Sequence, residues 1–421
     1  MTDRSPGRDL IYLDNAATAF PKPRDVLDEM VETYARLGAS PGRGAYDLAV
    51  EAGEYVAGVR EQVAAFFGFS AAERVVFTAN ATDALNLAIQ GLVEPGDHVV
   101  STRLEHNSVL RPLFHLRERG CIEYDLIPFD SRGLVAPSDI EGAIRPTTKL
   151  VVVCHGSQVL GTVQPVEEIA RVCSERGVPL LLDVAQSAGQ VSIDMDGWGV
   201  GALAFTGHKA LLGPPGSGGL LLAPDVGVRS TRFGGTGIDS HSLRHTQSFP
   251  HRLEAGTLNL LGIIGLSLGL EHLARLGMEQ CHTKEMALIR RLYEGLRSIP
   301  GIRVYSPPPR AGDLPLLVCD VEGMVAEDVG AILDGDFGIA VRTGLHCAPL
   351  IHADLGTAPA GLVRFSLGYG STDADIDRAL EAMAEIAGAS SGSACQEAAE
   401  KGSLGRENAP GGTILRPQSR E

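Results

Sequence analysis

Five short apolar runs punctuate the first two-thirds of the chain: DHVVST at 97–102, KLVVVC at 149–154, VPLLLD at 178–183, VGALAFT at 200–206 and GGLLL at 218–222. Segments with helical periodicity lie among them, notably 82–92, 107–119 and 165–177. Continuous Val/Leu runs alternating with helices are what a parallel sheet covered on both faces requires, because its strands have no solvent-facing side. Pro165 followed by Val166, Glu167 and Glu168 suits a helix start, with acidic groups facing the positive end of the helix dipole. The pattern predicts a doubly wound α/β domain.

Beyond residue 265 the pattern changes. A long helical stretch at 265–298 precedes strand-like 301–305 and 315–321, a helix at 325–334, strands near 338–342 and 362–367, and a helix at 373–387. This reads as a smaller α+β unit. The expected division is a large domain over 16–264 and a small one over 265–388. Residues 389–421, rich in Gly, Ser, Pro, Glu and Arg, predict a disordered tail.

Composition narrows the function classes. The 421 residues exceed what one hydrophobic core usually serves. A hydrophobic share of 44% with 21% charged excludes a mainly disordered chain. A net charge of −16 repels phosphate backbones and anionic lipid, so neither nucleic acid nor membrane is an expected partner. Seven cysteines, odd in number and without a CxxC pair, fit free thiols in a reducing compartment. The first residues, MTDRSPGRDLIYLDN, lack the apolar core of a signal peptide, and a cytoplasmic location is expected.

Lysine is scarce, with five against 31 arginines, and Lys209 stands apart in AFTGHKALLGPPGSGG at the carboxyl end of an apolar strand. Ligands bind at that end of an open α/β sheet. A lysine held among apolar groups has its charged form disfavoured, which suits an amine forming a Schiff base; a lysine snorkelling from a loop is the alternative. The following GPPGSGG is not a phosphate-binding P-loop, since Leu220 rather than Lys-Ser/Thr follows the last glycine.

A better anion site is TANATDALNLAI at 78–89, where small and hydroxylated residues precede an amphipathic helix. Its free backbone N–H groups and the Thr82 hydroxyl suit a phosphate, or a simple N-cap. Asp183 ends the strand of LLLDVAQSAG, where a buried carboxylate needs a cationic partner: a protonated pyridine nitrogen or an arginine. Gln186 lies three residues on and can donate to a phenolate oxygen. A lysine, a strand-end aspartate and a helix-terminus anion site form the parts list for pyridoxal 5'-phosphate (PLP).

The last constellation is RTGLHCAPLIH at 342–352 with GLVRFSLGYGS at 361–371. Cys347 sits in a Gly/Pro-bearing loop beside His346, a setting for a thiolate nucleophile or for a structural cysteine. Zinc on His346, Cys347 and His352 would lack the usual closed ligand set. Arg364 can hold a substrate carboxylate bidentately or serve a surface ion pair.

In order along the chain, YLDNAATAFPKP, SPGRGAYDLA, FTANATDALNLAI, EHNS, GTVQPV, DVAQSAG, FTGHK, LEAGTLN and RTGLHCAP closely resemble the cysteine desulfurases of the class V aminotransferase family. These are PLP enzymes of fold type I, and the resemblance spans roughly residues 10–388. The form RTGxHCA is similar to the subgroup that also acts on selenocysteine.

The resemblance implies a large domain with a mostly parallel seven-stranded sheet, a smaller α+β domain, and an N-terminal segment, 1–15, packing with the small domain. Lys209 resembles the Schiff-base lysine and His208 the adjacent phosphate ligand. Ala81, Thr82 and Thr206 match phosphate contacts, His106 the histidine stacked on the ring, Asp183 the ring-nitrogen partner, and Gln186 and Gln158 ring-oxygen contacts. Thr257 matches a residue reaching the other subunit's phosphate, which implies a homodimer with shared sites. Arg364, Asn15, Ala17, Arg342 and His346 fall at substrate-binding positions, and Lys209, Cys347 and His106 at catalytic ones, with no metal.

The implied reaction converts L-cysteine, or L-selenocysteine, to L-alanine and leaves sulfur on Cys347 as a persulfide, for a sulfur-acceptor protein and iron–sulfur cluster assembly. Related lyases, aminotransferases and epimerases on the same fold, with Cys347 incidental, are the alternatives, and after them a non-catalytic binding or scaffold role. Two departures stand out: Gln158 where the family usually carries asparagine, and Leu345 where better-studied relatives carry histidine.

Overall fold

The computed structural model describes residues 10–42 and 44–403. The chain opens with β1 (Ile11–Tyr12), then α1 (Arg24–Leu37), α2 (Asp47–Phe66), β2 (Val75–Thr78), α3 (Ala81–Leu92), β3 (Asp97–Thr102), α4 (Asn107–Glu118), β4 (Ile122–Ile127) and α5 (Pro137–Ala143). It continues through β5 (Thr148–Cys154), α6 (Val166–Glu175), β6 (Leu180–Asp183), α7 (Met195–Trp198), β7 (Ala202–Thr206) and β8 (Gly218–Leu222). Strands β2 to β8 form one seven-stranded sheet in the order β2-β8-β7-β6-β5-β3-β4. Only β8 runs against the rest, pairing antiparallel with β2 and β7.

The five runs read from the sequence are β3, β5, β6, β7 and β8, and the remaining two strands sit at the sheet's edges. Edge strand β4 is buried only at its two ends, Ile122 and Ile127, with exposed and half-buried residues between, and so lacks the continuous apolar signature of the central strands. Glycine admits β8 to the sheet at one critical point. A Cβ on Gly218 would lie 2.8 Å from the Cα of Asn80, the residue that caps α3.

After β8 a segment without helix or strand leads to α8 (Leu260–Leu276) and α9 (Met278–Ser298). The loop is pinned by Glu254, which accepts two 2.7 Å hydrogen bonds from buried Arg60 on α2 and one from the Phe77 backbone. The expected continuous helix over 265–298 is two helices bent by 73° at Gly277, whose φ of +78° no ordinary helix accommodates. Residues of α8 from Leu260 to Leu273 pack in the large-domain core, whereas those of α9 pack in the small-domain core. The boundary expected at 264/265 therefore falls at Gly277. Among the described residues no single helix is long and apolar enough to cross a membrane.

The small domain continues with β9 (Ile302–Val304), β10 (Leu316–Val321), α10 (Ala326–Phe337), β11 (Ile339–Ala340), β12 (Arg342–Gly344), α11 (Pro349–Leu355), β13 (Leu362–Ser366) and α12 (Asp373–Ser403). Its antiparallel sheet has the order β12-β13-β10-β9. β1 pairs in parallel with β11, and Leu13 is fully buried in the small-domain core. The N-terminal strand thus belongs to the last-made domain and then crosses to the first. Residues 389–403 are helical, contrary to the disorder expected for them. Their Ala, Gln, Glu and Lys content favours helix once α12 is nucleated by the packed part before it. The rest of that tail, 404–421, and positions 1–9 lie outside the described residues.

Candidate active site

Strands β6 and β7, at the centre of the sheet, end at Asp183 and Thr206, and the turn after β7 carries His208 and Lys209. Parallel strands leave a crevice beyond their carboxyl ends. Here it is a cleft of about 790 Å³ lined by Ala17, Ala81, Thr82, His106, Gln158, Asp183, Gln186, Thr206, His208, Lys209, Arg342, His346, Cys347 and Arg364. Fourteen residues singled out from the sequence, spread over 348 positions, therefore meet in one place.

Burial dominates the electrostatics of the cleft floor. The Asp183 carboxyl is 6% exposed and raised above its ordinary pKa by desolvation, against a hydrogen bond from the Ala185 N–H at 2.9 Å and the charge of Lys209. Lys209 is lowered to about 8 by desolvation, with Asp183 opposing and Arg364 and Arg342 reinforcing the shift. For both groups, loss of water outweighs their mutual attraction. Behind them Glu105, fully buried, accepts from Thr102 Oγ1 at 2.7 Å and from the Cys154 N–H at 3.0 Å. Its carboxyl is pushed up to about 8, by burial and then by Asp183 nearby, so it stands as a neutral acid at neutral pH.

On one wall, α3 points its N-terminus at the cleft. Asn80 caps it by accepting from the Asp83 N–H at 2.9 Å, and Ala81 and Thr82 form its first turn. Thr82 Oγ1 lies 2.6 Å from Ser108 Oγ, which lies 2.8 Å from His106 Nδ1. The Ser108 N–H also donates to that Nδ1, at 3.0 Å, so the ring carries its proton on Nε2. Burial, then Lys209, lowers His106 to about 4, and the imidazole is neutral. Lys22 donates to the His208 carbonyl oxygen and is itself lowered to about 8 by burial.

The opposite wall comes from the small domain. Cys347 lies in the loop between β12 and α11, and its carbonyl accepts from the Asn107 N–H at 2.8 Å, tying the loop to the start of α4. Arg342 Nη2 lies 3.7 Å from the Cys347 Sγ. His346 and Cys347 have φ of +49° and +57°, a left-handed conformation that costs a non-glycine residue about 1–2 kcal/mol each. His346 is buried and faces His352 at 3.4 Å.

Two expected site residues stand elsewhere. Asn15 spends its side chain on backbone groups, donating to the Tyr12 and Ser366 carbonyls at 3.3 Å and accepting from the Phe20 N–H. It lines a neighbouring cavity that shares Lys209 and Gln186 with the cleft. Thr257 is exposed and lies outside the cleft. Arg364 reaches the cleft, but its Nη2 is held by Asp14 at 2.8 Å and its Nη1 by the Gln158 carbonyl at 3.1 Å. Asn80, Ser108, Cys154 and Glu105 were not picked from the sequence. Glu105 and Ser108 stand in the EHNS motif and Asn80 before a helix start, all visible signals, whereas Cys154 joins the site through a contact with Glu105 across 49 positions.

The donor set fits PLP. Thr206 Oγ1 and Gln158 Nε2 are buried without a hydrogen-bond partner, as is Arg364 Nε. Asp183 has no ion-pair partner within reach among the described residues, and a ring N–H would supply one. Among the described residues, no group of three or more His, Cys, Asp or Glu side chains is arranged to hold a metal ion.

The sequence profile described as aminotransferase class-V matches residues 11–379. The chain belongs to the class-V aminotransferase family, whose members are PLP-dependent, and its fold is that of PLP enzymes of fold type I. It is 38% identical over 388 residues to a probable cysteine desulfurase of Methanothermobacter thermautotrophicus, covering 90% of this chain and 96% of that one. A cysteine desulfurase of an Enterobacter species is 34% identical over 389 residues, covering 90% and 94% respectively. The apo structure of cysteine desulfurase from Thermococcus onnurineus superposes with a TM-score of 0.84 at 34% identity, over 90% of this chain and 95% of that one.

Proposed function

We propose that this chain is a cysteine desulfurase that converts L-cysteine to L-alanine and transfers the sulfur to Cys347 as a persulfide. The observation that carries this reading is Cys347 itself, set on a left-handed loop in the same cleft as Lys209 and Asp183. An aminotransferase or epimerase has no use for a thiol anchored there.

When bound, PLP supplies an electron sink for the pair left on the substrate's Cα. Lys209, with its lowered pKa, is the residue to hold the cofactor covalently and, once released, to carry protons between substrate atoms. The α3 terminus with Ala81 and Thr82, joined by Thr206 and His208, forms the phosphate cradle. Neutral His106 would cover the ring face, Asp183 would meet the ring nitrogen, and Gln186 and Gln158 would offer N–H groups to the ring oxygen. Arg342 and Arg364, with Ala17 and His346 beside them, form the substrate wall and receive its carboxylate.

The Cys347 thiolate attacks the substrate's sulfur. The sulfur–sulfur bond forms, the substrate's carbon–sulfur bond breaks, and the carbon takes a proton to become alanine's methyl group. L-selenocysteine, differing by one atom, is a second substrate of the same geometry.

Exposed Thr257 supports a homodimer in which each subunit completes its partner's phosphate site. The persulfide's destination is an acceptor protein, with iron–sulfur cluster assembly as the process served. Six free cysteines among the described residues fit work in the reducing cytoplasm. The reading is tested by sulfide and alanine release from L-cysteine with a reductant, for the parent and Cys347→Ala. Equal amounts of both products from the parent and none from the variant, with cofactor absorbance intact in both, establish it. Unchanged turnover in the variant overturns it.

A further inference from the structure

The loop carrying Cys347 adopts a conformation that L-residues avoid at two consecutive positions, His346 and Cys347. The turn closes on itself through the Ala348 N–H and the Leu345 carbonyl at 2.9 Å, and the cleft adds the Asn107 N–H bond to the Cys347 carbonyl and the approach of Arg342 Nη2 to Sγ; none of these holds the His346 side chain.

Behind the loop, away from the cleft, runs a line of polar groups. Thr357 Oγ1 lies 2.8 Å from His352 Nδ1, His352 Nε2 lies 3.4 Å from His346 Nδ1, and His346 Nε2 lies 3.4 Å from the carbonyl oxygen of Arg342. All three side chains are buried, His352 completely. One direction satisfies all three of these contacts with both rings neutral, with the shorter 2.8 Å contact taking the Thr357 proton in place of the 3.4 Å approach to the His352 carbonyl. The Thr357 hydroxyl donates to His352 Nδ1, His352 Nε2–H donates to His346 Nδ1, and His346 Nε2–H donates to the Arg342 carbonyl. Burial enforces that neutrality by lowering His346 to about 2 and His352 to about 4. The line begins and ends on backbone fixed by other means. Arg342 is in β12, paired with β13, and Thr357 follows α11 and accepts from the Gly361 N–H at 2.7 Å. A Cβ on Gly361 would lie 2.3 Å from the Gly344 carbonyl carbon, so this connection is seated directly on the end of β12.

We propose that His352 and Thr357 are positioning residues for Cys347, bracing its loop through His346 so that the thiol is presented to the cleft. Neither lines the cleft, so both act through His346. The proposal rests on the desulfurase reading for its consequence in turnover, but not for the bracing itself.

The test uses the full-length, PLP-loaded protein and four variants. Thr357→Val keeps the shape and removes the donor, and His352→Leu removes the middle link. Thr357→Ser keeps the hydroxyl, and His352→Gln places an amide N–H where Nε2–H stood. Hydrogen exchange over 345–348, kcat and KM for L-cysteine, and PLP content are measured for each. Losing one buried hydrogen bond predicts about tenfold lower kcat for the Val and Leu variants. Their KM and PLP content stay unchanged, exchange at 345–348 is faster, and the Ser and Gln variants recover most of the loss. Exchange and kcat at parent levels in the Val and Leu variants would overturn the proposal. So would PLP loss in step with activity, or Ser and Gln variants no better than Val and Leu. Exchange needs no substrate: faster exchange in a protein whose parent makes no alanine would uphold the brace and sink the desulfurase reading.

Discussion

Arg364, at 2% exposure, gives Nη2 to Oδ1 of Asp14 at 2.8 Å, so the arginine at the substrate wall is held by a residue from the start of the chain. Asp14 also forms a bridge with Ser366, two residues along β13 from Arg364. Site and N-terminal segment are thus one mechanical unit. Replacing Asp14 with Ala leaves a buried guanidinium short of its counter-charge, which costs about 3–5 kcal/mol. A thermal midpoint lower by several degrees and faster proteolysis near residue 14 are expected, read by calorimetry and by mapping the cleavage products.

Lys209 should titrate near pH 8 because desolvation disfavours its ammonium form. At pH 7 roughly a tenth of it is then free amine, against well under a thousandth for an ordinary lysine. The rate at which the cofactor-free protein couples covalently to added PLP should rise through pH 8 and level off above it. Stopped-flow absorbance reads this rate. A profile still climbing steeply toward pH 10 would place the amine in water instead.

Gln158 Nε2 is a buried donor without a partner in the protein. If its task is to meet the cofactor, Gln158→Leu should weaken PLP retention by about tenfold with little effect on thermal stability of the cofactor-free protein. Equilibrium dialysis of PLP checks the first and calorimetry the second. Equal retention would assign the side chain to packing.

Thr257→Ala should leave the fold intact and weaken PLP retention only in the associated state, because Thr257 lies outside its own subunit's cleft. Sedimentation combined with PLP absorbance across a dilution series separates the two cases. Retention independent of protein concentration would remove the shared site.

Much of this site is legible in sequence because its parts sit where element types change. Asp183 and Lys209 mark the ends of apolar runs, Thr82 opens an amphipathic helix, and Cys347 stands in a loop. What stays hidden is whatever depends on contacts across sequence distance. The Arg364–Asp14 pair spans 350 positions and the Arg60–Glu254 pair 194, and no local pattern signals either. The two-residue strands β1 and β11 are too short for any periodicity. The break between α8 and α9 is hidden in the sequence because a lone glycine inside a helical pattern is usually tolerated, and Gly277 gives itself away only by its positive φ.

The pairing of Ile11 with Ile339 has a consequence for how the protein is made. A ribosome working at about 5–20 residues per second delivers the second partner tens of seconds after the first. Throughout that interval the large domain can assemble, while Leu13 waits without the core that buries it. A chaperone that shields short apolar segments would find its target here, and moving residues 10–15 to follow α12 through a short linker would shorten the wait to almost nothing.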